Sequence, residues 1–158
     1  ALVRNASKMP ITHPKLRLAI GDILNQSSVD AALQGQDTVC TCIGVPPKLS
    51  SIDTFSTGAK TVLASMAKVP GLKLVAVTGI GAGDSRGHGG FLYDKLIQPL
   101  LLKSMYEDKD REEALIKASS VDWMIVRPGL LNNGPRTGKY RVINDLKGIT
   151  AGKFHGKM

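Results

Sequence analysis

Short apolar runs alternating with amphipathic stretches of helical length constrain this chain more than any other feature. Val39-Cys40-Thr41-Cys42-Ile43 is β-rich and almost uncharged, follows Asp37-Thr38 and stops at Gly44, the pattern of a strand buried on both faces. Leu72 to Thr78 is a second such run, Leu16 to Ile20 closed by Gly21-Asp22 a third, and Asp122 to Val126 a fourth that holds the only Trp. Between them, Ser27 and Asp30 form a capping box that opens a helix stopped by Gly35. Phe55, Ala59, Val62, Leu63 and Met66 recur at three- and four-residue spacing through Thr54 to Lys68, and Asp108 to Ala118 suits a further helix. Strand and helix alternating in this way make βα units, a mostly parallel sheet and right-handed crossovers that place helices on both faces. The expected class is α/β, in a single domain over residues 1–158.

Ligands of such sheets bind beyond the carboxyl ends of the strands. The segments to search are therefore Arg4, Gly21-Asp22, Cys42 to Val45, Thr78 to Gly83 and Arg127 to Leu131. Gly79 to Gly90 is too long and glycine-rich for a tight turn and reads as a flexible functional loop. Thr137 to Asp145 reads as an extended excursion.

With 21 Lys and Arg against 13 Asp and Glu, the formal charge of +8 favours anionic partners. The basic residues are scattered and aromatics are only 4% of the chain, so a nucleic-acid groove has little support. A bilayer span needs roughly 20 apolar residues, and the best stretch, Leu96 to Leu102, is interrupted by Gln98 and Pro99. Cys40 and Cys42 have neither CxxC nor zinc spacing and read as small buried apolar residues of a reducing, cytoplasmic compartment. His13, His88 and His155 lie apart from other ligand types, so no metal site is expected.

Taken in order, Leu2-Val3-Arg4, Gly21-Asp22, Val75-Ala76-Val77-Thr78 and Val121-Asp122-Trp123-Met124-Ile125-Val126-Arg127-Pro128-Gly129-Leu130-Leu131 resemble the NAD(P)H-binding atypical short-chain dehydrogenases. Gly134-Pro135 and Thr137-Gly138-Lys139-Tyr140 extend the match. That group includes NmrA-like proteins and flavin reductases similar to biliverdin reductase B. The resemblance implies a Rossmann-like, doubly wound parallel sheet. It also implies that the family's first strand and GxxGxxG phosphate loop would lie before Ala1, so the chain is expected to begin in mid-domain. The absent strand would be central, leaving the strands on either side of it separated by a gap. The stretch from Gly152 to Met158 has neither periodicity and is expected to be loose or cut short.

By the same resemblance the cofactor is NADP(H), with NAD the alternative. Arg4 would pair with the adenosine 2′-phosphate, which a guanidinium matches by bidentate bonds. Asp22 would accept from the adenine amino group or else form an Asx turn, beside Gly21 and Ile23. Cys42, Ile43 and Gly44 would let ribose and pyrophosphate approach the backbone. Thr78 and Gly79 would border the nicotinamide together with Arg127, Pro128, Gly129 and Leu130. Gly79-Ile80-Gly81-Ala82-Gly83 is not the phosphate loop, because Ala82 and Arg86 stand where third glycines are needed.

Thr78 is the one weak catalytic candidate, since it stands where classical members carry Ser. Tyr93 and Tyr106 would need Lys at the positions of Ile97 and Asp110, so the usual Ser-Tyr-Lys proton machinery is missing. Lys109 and Glu113, four apart, read as an ion pair on a solvated face rather than as pocket residues. Without a placed proton donor, hydride transfer to a flavin, quinone or similar small conjugated acceptor is favoured over carbonyl reduction. A non-catalytic NAD(P) sensor of NmrA-like type is the rival.

Overall fold

The computed structural model describes residues 1–46, 48, 50–129, 131, 138 and 140–148. Its strands are β1 (Leu2–Val3), β2 (Ala19–Ile20), β3 (Thr38–Thr41), β4 (Lys73–Val77) and β5 (Asp122–Val126). The helices are α1 (Gln26–Leu33), α2 (Thr54–Met66), α3 (Gln98–Leu101) and α4 (Lys103–Ala118), with a π-helical turn over Tyr93–Ile97. Every strand pair is parallel, and the strands form two separate sheets among the described residues, β1-β2 and β3-β4-β5. Both sheets rest on one core. Leu2 and Val39 pack against the same cluster of Val29, Leu33, Val62, Met66, Leu74 and Ile116.

Register explains which strand residues are buried. Val39 and Leu74 lie abreast, as do Ala76 and Ile125, and these four join the core under the helices, whereas Trp123, level with Leu74 on the edge strand β5, is left exposed. The alternate rows, Cys40-Val75-Met124 and Val77-Val126, face away from that helical layer. The described helices therefore cover one face of the three-stranded sheet, not both. Cys40 and Cys42 are exposed rather than buried: Cys40 sits on the bare face, and β3 has a neighbour on one side only.

Helix α1 begins earlier than its capping box predicts. Asn25 is the cap and accepts from the Ser28 N–H at 2.9 Å, while the Ser27 hydroxyl only donates back to Asn25. Helix α2 has no side-chain cap of its own, since Asp53 makes none. Its N–H groups at Phe55 and Ser56 are instead received by Oδ2 of Asp108, a fully buried residue of α4, at 2.8 and 3.4 Å. Helix α4 starts five residues before the predicted Asp108. Pro99 fits α3 because its missing N–H falls in the first turn. Residues 138 and 140–148 of the predicted excursion carry no strand, and Thr137 and Lys139 lie outside the described residues.

Candidate functional site

The carboxyl ends of the strands form two clusters, one per sheet. On the smaller sheet, Arg4 follows β1 and Asn5 caps a single 3-10 turn over Ala6–Lys8, accepting from the Ser7 N–H at 2.9 Å. Lys8 ends that turn, and it and Arg4 both line a cleft of about 490 Å³ with Val3, Asn5 and Met9. Lys8 went unpredicted, its only sequence signal being a second basic residue one short turn beyond Arg4. Asp22 makes the Asx turn, one carboxylate oxygen accepting from Leu24 N–H at 2.9 Å. Gly21 is required by packing, because a Cβ there would lie 2.7 Å from Ser28 Cβ and 3.0 Å from Leu2 Cδ1. That close approach seats α1 against β1, with Ile23 joining the core.

The larger sheet gathers Cys42, Ile43 and Gly44 after β3, Thr78 and Gly79 after β4, and Arg127, Pro128 and Gly129 after β5. A Cβ at Gly44 would meet nothing within 4 Å, so the backbone there is open to a ligand. Leu130 lies outside the described residues.

The Thr78 side chain turns inward, and its hydroxyl donates to Glu113 Oε1 at 2.8 Å. The same carboxylate receives Nε and Nη2 of Arg127 at 2.9 and 2.6 Å, tying the ends of β4 and β5 to α4. Arg127 also reaches the exposed Asp84 at 2.5 Å. Burial pushes the Glu113 carboxyl up, but the bonds from Arg127 and Thr78 and the charges of Arg127 and Lys117 outweigh it and hold the group below its usual range. Arg127 is raised by its bonds to Glu113. The solvated Lys109–Glu113 pair is thus corrected: both side chains are buried and they do not pair with each other, Glu113 meeting Thr78, Arg127 and Lys117, and Lys109 meeting Thr78. Lys109 Nζ donates to the Thr78 carbonyl at 3.2 Å and lies 4.1 Å above the Phe55 ring, and burial lowers its ammonium.

The segment after β4 is pinned rather than loose. Tyr106 Oη donates to the Ile80 carbonyl at 3.0 Å, Gln98 Nε2 to the Gly81 carbonyl at 3.0 Å, and Gly83 N–H to Asp110 Oδ1 at 2.7 Å. Arg86 pairs with Asp110 as well, and Asp94 receives the N–H groups of Gly89 and Gly90 at 3.2 and 3.0 Å. Since Tyr106 has one proton and gives it to Ile80, the 2.6 Å contact with Tyr93 is donated by Tyr93. Burial, then the Tyr93 hydroxyl, raises the Tyr106 phenol well above its ordinary value. A phenol so placed is a poor acid. A cleft of about 610 Å³ opens beside it, lined by Arg86, Phe91, Lys95, Pro99 and Lys103 among others. No group of three or more metal-ligating side chains occurs among the described residues. No described helix is long and apolar enough to cross a membrane.

Residues 1–155 match the model of a family described as NAD(P)H-binding. The chain belongs to that family. Among solved structures it is similar to ChuY, an anaerobillin reductase from Escherichia coli, at 24% identity and TM-score 0.67, covering 83% of this chain and 59% of that one. A Rossmann-fold NAD(P)-binding family protein from Shigella flexneri is 23% identical with TM-score 0.58, over 84% of this chain and 54% of its own. A nucleoside-diphosphate-sugar epimerase from Staphylococcus aureus is 20% identical with TM-score 0.54, over 80% and 39%. These likenesses establish a Rossmann-like α/β fold, and this chain spans little more than half the length of the first of them.

Proposed function

We propose that this chain is the core of an NADPH-dependent reductase acting on a flavin, a quinone or another small conjugated acceptor. The observation that carries the reading is the pairing of Arg4 with Lys8 in one cleft at the carboxyl end of β1, a site of two cations suited to a phosphate ester. Arg4 and Lys8 would hold the 2′-phosphate, Asp22 the adenine side, Gly44 the ribose and pyrophosphate side, and Gly79 with Pro128 and Gly129 the nicotinamide side. Bound there, NADPH supplies a hydride.

The acceptor fits the cleft walled by Phe91, Pro99 and Tyr106, whose apolar surfaces suit a flat conjugated molecule. Tyr106 keeps its proton for Ile80, and Lys109 is directed at Thr78, so neither assembles the lysine-activated phenol that carbonyl reduction uses. Thr78 gives its proton to Glu113 and acts as a strut in this reading. The acceptor's proton comes from solvent.

The same lack of a placed proton donor favours a second reading, a cytoplasmic NAD(P) sensor without turnover. One experiment separates them. NADPH is titrated against Trp123 fluorescence, in this chain and in one extended at its N-terminus by a strand and a GxxGxxG loop, and NADPH oxidation is then followed with flavin mononucleotide or a simple quinone. Saturable binding with acceptor-dependent oxidation supports the reductase, and binding without oxidation supports the sensor. No binding by either chain overturns both.

A further inference from the structure

The helical segment that runs from Phe91 through the π-helical turn and α3 carries an apolar stripe on its outer side. Leu92, Leu96 and Leu100 recur every four residues and are 60%, 48% and 66% exposed, flanked by Phe91 at 81% and Leu101 at 60%. The inner side of the same segment is fully engaged, through Tyr93 on Tyr106 and Gln98 on Gly81. The stripe is therefore the outer surface of a well-anchored element. Together these five side chains bare apolar surface on the order of 600 Å², at the upper end of the largest patch a monomer usually leaves open. It also approaches the roughly 800 Å² that each partner contributes to a standard interface.

Charge decides what can cover it. The chain as a whole carries +8, which opposes the approach of a second copy. Around the stripe the signs are balanced: Lys95 and Lys103 stand beside Asp94 and Glu107, and Arg86 is paired with Asp110. A locally neutral rim, its acids already engaged within the chain, adds no repulsion where two copies meet about a two-fold axis. An anionic lipid surface or nucleic acid would select a net basic patch, which this is not.

We propose that the stripe Phe91-Leu92-Leu96-Leu100-Leu101 is a self-association face whose occupant is a second copy of this chain. Phe91, Lys95 and Lys103 also line the neighbouring cleft, so dimerisation places the partner at its mouth. Sedimentation velocity on the 158-residue chain, from about 5 to about 200 µM, reads the association directly. The expected result is a reversible shift from one copy to two across that range. The double variant L96E/L100E stays a single copy with an unchanged circular dichroism spectrum, because both leucines are solvent-facing. Ile11→Glu, an equally exposed apolar site elsewhere, associates like the parent. A parent that remains a single copy at the highest concentration overturns the proposal, including the case in which it sediments with phosphatidylglycerol vesicles instead. So does association that runs past two copies, or an L96E/L100E chain that dimerises as well as the parent.

Discussion

Glu112 offers a quantitative test of how α4 is buried. Its side chain is 2% exposed, and Oε2 has no hydrogen-bond partner. Burial pushes the carboxyl up to about 7 from 4.5, against the favourable charge of Lys109, with Asp108 and Glu113 adding to the rise. Below pH 4.5 the group is neutral in folded and unfolded chains alike, and its ionisation has no effect on stability. Between pH 4.5 and about 7 the unfolded chain ionises while the folded one stays protonated, so each pH unit removes about 1.4 kcal/mol of stability. Above pH 7 both forms are charged and the slope ends. The full loss is about 3 kcal/mol by pH 8, a large share of a typical domain's margin. Glu112→Gln removes this titration while keeping shape. Urea unfolding followed by Trp123 fluorescence, at pH steps from 5 to 8, should show the variant gaining on the parent steadily with pH. Most of that 3 kcal/mol should appear by pH 8, whatever fixed cost the amide brings. A parent-to-variant difference that is flat across this range, or that shrinks as pH rises, refutes the reasoning.

Three further outcomes follow from the site. Arg4→Glu, and more weakly Lys8→Ala, should lower the preference for NADPH over NADH in the extended chain, roughly tenfold or more for the charge reversal, read as the ratio of the two dissociation constants. Tyr106→Phe should leave acceptor-dependent oxidation within about threefold of the parent, since its phenol is no proton donor, although losing the Ile80 bond should lower stability by about 1 kcal/mol; a hundredfold drop in rate would contradict the solvent-proton assignment. Gly21→Ala should cost about 1–3 kcal/mol by overpacking against Ser28, and Ser28→Gly should recover much of it, which chemical denaturation of the three variants would show.

The sequence disclosed most where structure is local. The apolar run of β4 and the helical spacing of Phe55, Ala59, Val62 and Met66 announced their elements, because each is read within a dozen residues. The split between the two sheets is a long-range feature, and it was expected only from the family resemblance. What escaped depends on partners far along the chain. Lys109 and Glu113 look like solvated helix residues until Thr78 and Arg127 are seen to meet them, 31 and 14 residues away. Cys40 has the composition of a buried strand, yet its exposure is set by what does and does not cover the sheet. The helical segment from Tyr93 hid behind a glycine-rich preface and Pro99, and only the π turn reconciles them. In the proposed phosphate cleft, Arg4 was marked by its place at a strand end and by the resemblance, whereas Lys8 joins the lining only through the 3-10 turn over Ala6–Lys8.

The borrowed cap of α2 has a consequence for how the chain acquires its structure. The start signal of that helix is Asp108, 53 residues downstream of the N–H it satisfies. A ribosome that has translated only as far as residue 100 has made the whole of α2 without the group that closes its first turn. The helix is therefore committed late, when α4 docks, and its formation is tied to a long loop closure rather than to its own propensity. Proteolytic fragments ending before Asp108 should hold the α2 sequence in a frayed state, however good its apolar face.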